Sequence, residues 1–180
     1  RPLEQKGSKL EVRVIEDFST IKATDLAGYE AGFSALGTTR SQNTPEQFRI
    51  IDHDYPVHLA KMAKEAGCRY FGLVSSTGAS STSWFPELRL KAETEQDVMT
   101  MGPSTVSIFR PAFLVCQRAK SSWSERFTLG CVVPIFNLFA PGRYSVETSK
   151  LAAFMIQDAI KRMNDAGVVI HENNQITAGG

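Results

Sequence analysis

The sequence predicts an α/β fold, a parallel sheet with helices on both faces. Three observations predict it. Apolar strand-like runs alternate with helix-like stripes along the 180 residues. The runs at 70–74 and 106–109 are short and mostly apolar, as strands covered on both faces tend to be. The stretch YFGLVSSTGASSTSWFPELRLK, residues 70–91, carries one such strand through Ser75, Ser76 and a Gly78 turn into a helix bearing Lys91. Strand–helix alternation implies parallel pairing with right-handed crossovers. Hydroxyls at the C-terminal end of a strand in an open sheet are a common place for chemistry.

In chain order, residues 1–9 are polar and read as loose. Residues 10–15, LEVRVI, alternate apolar and charged side chains and predict a strand. Ser19 or Thr20 is expected to cap a short helix that stops at Gly28. Residues 33–36 predict a strand, with Gly37, Thr38, Thr39 and Arg40 as the turn after it. Glycine there admits a ligand to the backbone, and the threonines offer hydroxyls. Thr44, Pro45 and Gln47 have capping-box spacing. The helix they open carries Phe48, Ile51, Tyr55, Leu59 and Met62 at helical intervals, and Gly67 closes it. His53 and Asp54 on it read as a surface pair.

The next helix starts near Phe85-Pro86, carries Leu88, Lys91, Glu95 and Val98, and ends at Gly102-Pro103. The strand at 106–109 runs into Arg110-Pro111, and 113–115 is expected to turn along the sheet edge as a loop. Residues 112–145 read as a substrate-side or lid excursion from a single partial domain covering 1–180. Ser145 is expected to cap a helix with Leu151, Met155 and Ala159 inward. Residues 168–171 predict a last strand and 173–180 a weak tail.

Composition narrows the function. Twenty basic against nineteen acidic side chains leave a formal charge of +1, which makes nucleic acid an unlikely partner. Cys68, Cys116 and Cys131 lack metal-ligand spacing and read as free thiols of a reducing compartment. Residues 131–140 form the longest apolar stretch, too short to cross a membrane and broken by Pro134 and Asn137. No G-x-G-x-x-G turn occurs in the sequence. A dinucleotide fold would then need its first strand–Gly loop–helix–strand unit upstream of Arg1. The absence of an initiating Met reads the same way, as a processed product or fragment.

Four blocks, FSALGTTR (33–40), DHDY (52–55), LAKMAKEAGCRYFGLVSSTGA (59–79) and FRPAFLVCQR (109–118), resemble the Tat-interacting oxidoreductase family in order and spacing. That family is a branch of the atypical short-chain dehydrogenases/reductases. The resemblance spans about residues 12–170 and implies a Rossmann-like three-layer fold that binds NADP. It places the cofactor turn at Gly37, Thr38 and Thr39, the catalytic serine at Ser75 or Ser76 with Ser76 preferred, and the lysine at Lys91. Arg110 and Pro111 would flank the nicotinamide. The tyrosine that should stand four residues before the lysine is replaced by Glu87.

In such reductases the tyrosine gives a proton to a carbonyl, the lysine lowers its pKa and binds ribose, and the serine polarises the carbonyl. Glu87 fits a helical ion pair with Lys91 better than it fits proton donation. The expectation is an oxidoreductase homologue impaired in this chain, its carbonyl substrate unknown. The alternative is a non-catalytic member that binds a regulatory protein partner or itself in transport, transcription or apoptosis. The expected compartment is cytoplasmic, with nuclear association, or mitochondrial association for a fungal relative, as the alternatives.

Overall fold

A computed structural model describes residues 10–38, 43–115 and 145–179. Its main sheet has four parallel strands in the order β1, β2, β3, β6. These are β1 (Ala31–Ser34), β2 (Tyr70–Val74), β3 (Thr105–Arg110) and β6 (Gly167–Glu172). The helices are α1 (Pro45–Arg49), α2 (Tyr55–Glu65), α3 (Pro86–Met101), α4 (Thr148–Arg162) and α5 (Asn173–Ala178). Among the described residues no helix is long and apolar enough to cross a membrane.

Alternation along the strands assigns side chains to two cores. Phe71 and Leu73 of β2, with Val106 and Ile108 of β3, pack with Ala60, Ala63 and Val98 of α2 and α3. Phe109 points to the other face, into a cluster with Val146, Leu151, Met155 and Ile176. Helices therefore cover both faces, and the Rossmann-like three-layer arrangement expected from the sequence is the one observed.

A polar network lies on the α4 face. Tyr70 and Ser107 donate to Asp158 Oδ2 at 2.8 and 2.5 Å, and Arg162 donates to Ser107 Oγ at 2.6 Å. His171 Nε2 stands 3.0 Å from Asp158 Oδ1, within ion-pair distance but poorly aligned for a hydrogen bond. Burial works to raise the Asp158 pKa. Its contacts with His171, Ser107 and Tyr70 outweigh burial and hold the carboxyl below the usual range.

Thr44 caps α1 through the reciprocal box with Gln47, as the spacing predicts. Gly67 and Gly78 both take φ near +85°, where an L side chain is strained. Between α1 and α2 the helix widens into a π turn over Ile50–Asp54. Such turns are single insertions that re-aim side chains.

Several elements differ from the sequence reading. Residues 10–15 are not a strand. Alternation specifies an extended chain, but a strand also needs a ladder, and Leu10, Val12 and Val14 stand exposed. The segment instead walls a cleft of about 540 Å³ beside β1, lined also by Ile21, Leu26, Phe33 and Phe71. The expected helix after Ser19 is two 3-10 turns, Phe18–Thr20 and Ala23–Leu26, with Asp17 as the cap of the first. So short a segment does not repay helix nucleation.

Strand β1 begins two residues early, at Ala31, because Gly32 belongs under the Phe71 ring, 3.0 Å from a would-be Cβ. Residues 113–115 are not a loop. As β4 (Phe113–Val115) they pair in parallel with β5 (Ser145–Glu147) in a two-stranded sheet. Ser145 thus opens a strand, and α4 starts at Thr148. The tail at 173 is helix α5, fixed by a Glu172–Gln175 capping box and by Ile176 buried in the core. The interior of the excursion, residues 116–144, lies outside the described residues, with Cys116 and Cys131.

Candidate functional site

The C-terminal ends of β1, β2 and β3 meet the first half of α3, where most of the sequence-predicted residues converge. Asp52, on the π turn, is buried. Its Oδ1 accepts from Lys91 Nζ at 2.8 Å, and its Oδ2 accepts from the Thr38 backbone N–H at 2.8 Å. Thr38 Oγ1 accepts from Asn43 Nδ2 at 2.8 Å. Gly37 lies over the ion pair. A Cβ there would stand 3.4 Å from Asp52 Oδ1 and 3.7 Å from Lys91 Nζ. One carboxylate therefore ties the turn after β1 to helix α3. Thr94 Oγ1 adds to the tie, 2.8 Å from Leu90 O and 3.0 Å from Asp52 O, with one proton to share between them.

The partner of Lys91 is thus Asp52, not the Glu87 that helical spacing offered. Glu87 stands exposed on the first turn of α3. His53 also departs from the sequence reading. It is buried rather than a surface residue, because the π turn rotates it toward α3. Its Nδ1 is 2.7 Å from Asp54 Oδ1 and its Nε2 is 3.1 Å from Asp97 Oδ2. His53, Glu93 and Asp97 have a metal-like spacing, but Arg49 holds both oxygens of Glu93, at 2.6 and 3.1 Å.

The two serines divide. Ser75 is buried and donates to Glu95 Oε1 at 2.5 Å. Ser76 is half-buried, and its hydroxyl makes only a long contact, 3.4 Å, to Thr77 O. The turn is stitched to the end of β3 by Thr77, whose N–H donates to Pro111 O at 3.0 Å and whose hydroxyl donates to Arg110 O at 2.9 Å.

Arg110 grips Glu95 with two nitrogens and reaches Glu172 Oε1 with a third, at 3.0 Å. The Glu95 hydrogen bonds lead the effects that push its pKa further above the usual arginine value. Pro111 is fully buried. Thr39, the third residue of the expected cofactor turn, lies outside the described residues.

Sequence reasoning passed over Asp52 and gave Glu95 no role at the site. A signal existed for both. Asp52 stands four residues after Phe48 and Glu95 four after Lys91, so each carboxylate lies on the inward stripe of its helix.

The arrangement can bind a hydroxyl-rich or anionic group. Lys91 has two ammonium protons beyond the one on Asp52, Gly37 leaves room above them, and Ser76 offers a lightly engaged hydroxyl. Ser34, at the C-terminal end of β1, buries a hydroxyl with no hydrogen-bond partner among the described residues.

No family model matches the chain. It is 34% identical over 140 residues to Protein HTATIP2 of Rattus norvegicus, covering 67% of this chain and 58% of that protein. It is 28% identical over 179 residues to the mitochondrial protein FMP52-1 of Scheffersomyces stipitis, covering 96% and 79%. Against the mitochondrial FMP52 of Saccharomyces cerevisiae it is 40% identical over 94 residues, covering 51% and 40%. The chain thus spans somewhat over half the length of the rat protein, less than two thirds of it.

Among solved structures, MoeE5 in complex with UDP-glucuronic acid and NAD superimposes with a TM-score of 0.69 at 16% identity, covering 96% of this chain and 65% of that one. The UDP-N-acetylglucosamine 4-epimerase from Bacillus cereus gives 0.62 at 16% identity, covering 88% and 62%. At such identities these likenesses show the fold alone.

Proposed function

We propose that this chain, a member of the HTATIP2 and FMP52 family of atypical short-chain dehydrogenases/reductases, binds a nicotinamide dinucleotide at the C-terminal edge of its sheet and is inactive in carbonyl reduction. The observation that carries the binding is the convergence of Gly37, Thr38 and Lys91 on buried Asp52. Lys91 would hold the nicotinamide ribose, the Gly37–Thr38 turn would lie along the cofactor, and Arg110-Pro111 would close the far side. The resemblance favours NADP over NAD. When bound, the cofactor supplies the hydride.

Ser76 would orient the carbonyl of a substrate yet to be identified. Glu87 argues against efficient turnover. A carboxyl ionised at neutral pH is a poor proton donor to a carbonyl, and Glu87 is exposed where burial would be needed to raise its pKa. The fungal relatives are named mitochondrial, which supports mitochondrial association.

Titration with NADPH and NADH, read by nicotinamide fluorescence, tests the binding. Saturable NADPH binding without NADPH oxidation over a panel of aldehydes and ketones is the expected result. No binding of either nucleotide would overturn this reading. It would favour a regulatory protein partner, for which exposed Trp84 and Phe85 beside Glu87 offer aromatic surface.

A further inference from the structure

We propose that Asp52 is the positioning residue of this site, holding the Lys91 ammonium and the Gly37–Thr38 turn in register for the nucleotide. This rests on the nucleotide-binding reading above and adds a residue and a device to it. Three independent features point to Asp52.

The first is its placement. A carboxylate buried to 1% exposure has both oxygens committed, one to Lys91 Nζ and one to the Thr38 N–H. These partners belong to different elements, so the carboxylate fixes the distance between the β1 turn and α3. A buried carboxylate needs such partners, since it would otherwise be strongly disfavoured.

The second is the π turn. The widened turn at Ile50–Asp54 brings both Asp52 and His53 onto α3, and Thr94 meets the Asp52 carbonyl there. A helix gives up regular bonding at such a turn, and turns of this kind recur at functional sites.

The third is Gly37. Its φ is ordinary, so backbone conformation does not require glycine. A Cβ would fit in normal contact with Asp52 and Lys91 but would occupy the space directly over the ion pair. Among the described residues, only those two atoms lie within 4 Å of that position, beside the Lys91 ammonium. Asp52 compensates the ammonium and directs it, so that it binds as an oriented donor rather than as a loose cation.

Asp52→Asn and Asp52→Ala, Lys91→Met and the Asp52→Asn/Lys91→Met double variant test this on the full chain. If Asp52 acts through Lys91, Asp52→Asn weakens NADPH binding at least tenfold. The double variant then binds no more weakly than Lys91→Met alone. Wild-type affinity in Asp52→Asn, or losses that multiply in the double variant, would overturn the proposal. A merely structural role predicts multiplying losses.

Gly37→Ala covers the case in which the Asp52 variants do not fold. It keeps the fold, puts a methyl over the pair and is expected to weaken NADPH binding at least fivefold. Unchanged affinity would count against the proposal. If the wild type binds no nucleotide, the functional reading fails by itself. Amide exchange at Thr38 then decides the clasp. Asp52→Ala, or Asp52→Ser if that variant does not fold, speeds it at least tenfold if Asp52 holds the turn, and an unchanged rate says that it does not.

Discussion

Arg110 and Glu95 face each other through two parallel hydrogen bonds, Nε to Oε1 at 2.9 Å and Nη2 to Oε2 at 2.6 Å. Glu95 is 3% exposed and Arg110 20%. Removing one member of a buried pair leaves the other uncompensated, at about 3–5 kcal/mol. Arg110 is partly solvated and keeps Glu172, so Glu95→Gln is expected near the lower end, about 3 kcal/mol. Urea unfolding measures it. A loss under about 1 kcal/mol would mean that the pair behaves as a surface contact.

Asp158 makes stability depend on pH in the acid range. Its folded pKa lies below the ordinary 3.8. The native state therefore binds fewer protons than the unfolded chain between the two values. The contribution is present above the ordinary pKa and is lost as pH falls through the folded one. Asp158→Asn should lower stability at neutral pH by about 2–4 kcal/mol. The gap to wild type should be flat above about pH 5 and shrink below about pH 4. Unfolding at a series of pH values reads it, and a gap constant to pH 2 would refute the assignment.

Gly72 sits where Phe33 and Phe109 close over the strand. A Cβ there would lie 2.8 Å from Phe33 Cδ1 and 3.2 Å from Phe109 Cε2. Gly72→Ala is expected to destabilise by about 1–3 kcal/mol through overpacking. That corresponds to roughly 3–10 °C in Tm for a chain of this size. A thermal melt at wild-type temperature would show that Phe33, at an edge strand and 43% exposed, swings away freely.

Glu87→Tyr alone should not produce carbonyl turnover. The substitution restores a phenol four residues before Lys91, but with no glycine-rich turn in this sequence to fix the pyrophosphate, NADPH bound through its ribose is not held in register for hydride transfer. NADPH oxidation above the uncatalysed rate in that single variant would show that the phenol was the missing part.

How much was legible follows from what each signal encodes. The strands at Tyr70 and Thr105 and helix α3 were readable because their residues satisfy a local period and a local stop at once. Residues 10–15 misled because alternation states a backbone shape and says nothing of whether a neighbour exists to pair with. Helix α5 was hidden because its reason is Ile176 reaching a core built by distant segments. Lys91 was legible by type and spacing, but its partner was not. Asp52 is 39 residues away in sequence, and only the packing of its turn against α3 brings the two together. The same holds for Ser75, whose hydroxyl goes to Glu95 and leaves Ser76 the less engaged of two serines that look alike on paper.

Strand β1 pairs on one side only, with β2, among the described residues. Its outer row of amides and carbonyls runs beside the cleft walled by residues 11–15. A backbone edge of this kind accepts an extended segment of almost any composition. Preparations of this chain should therefore scatter light increasingly as they are concentrated, while the far-ultraviolet dichroism of each molecule stays the same.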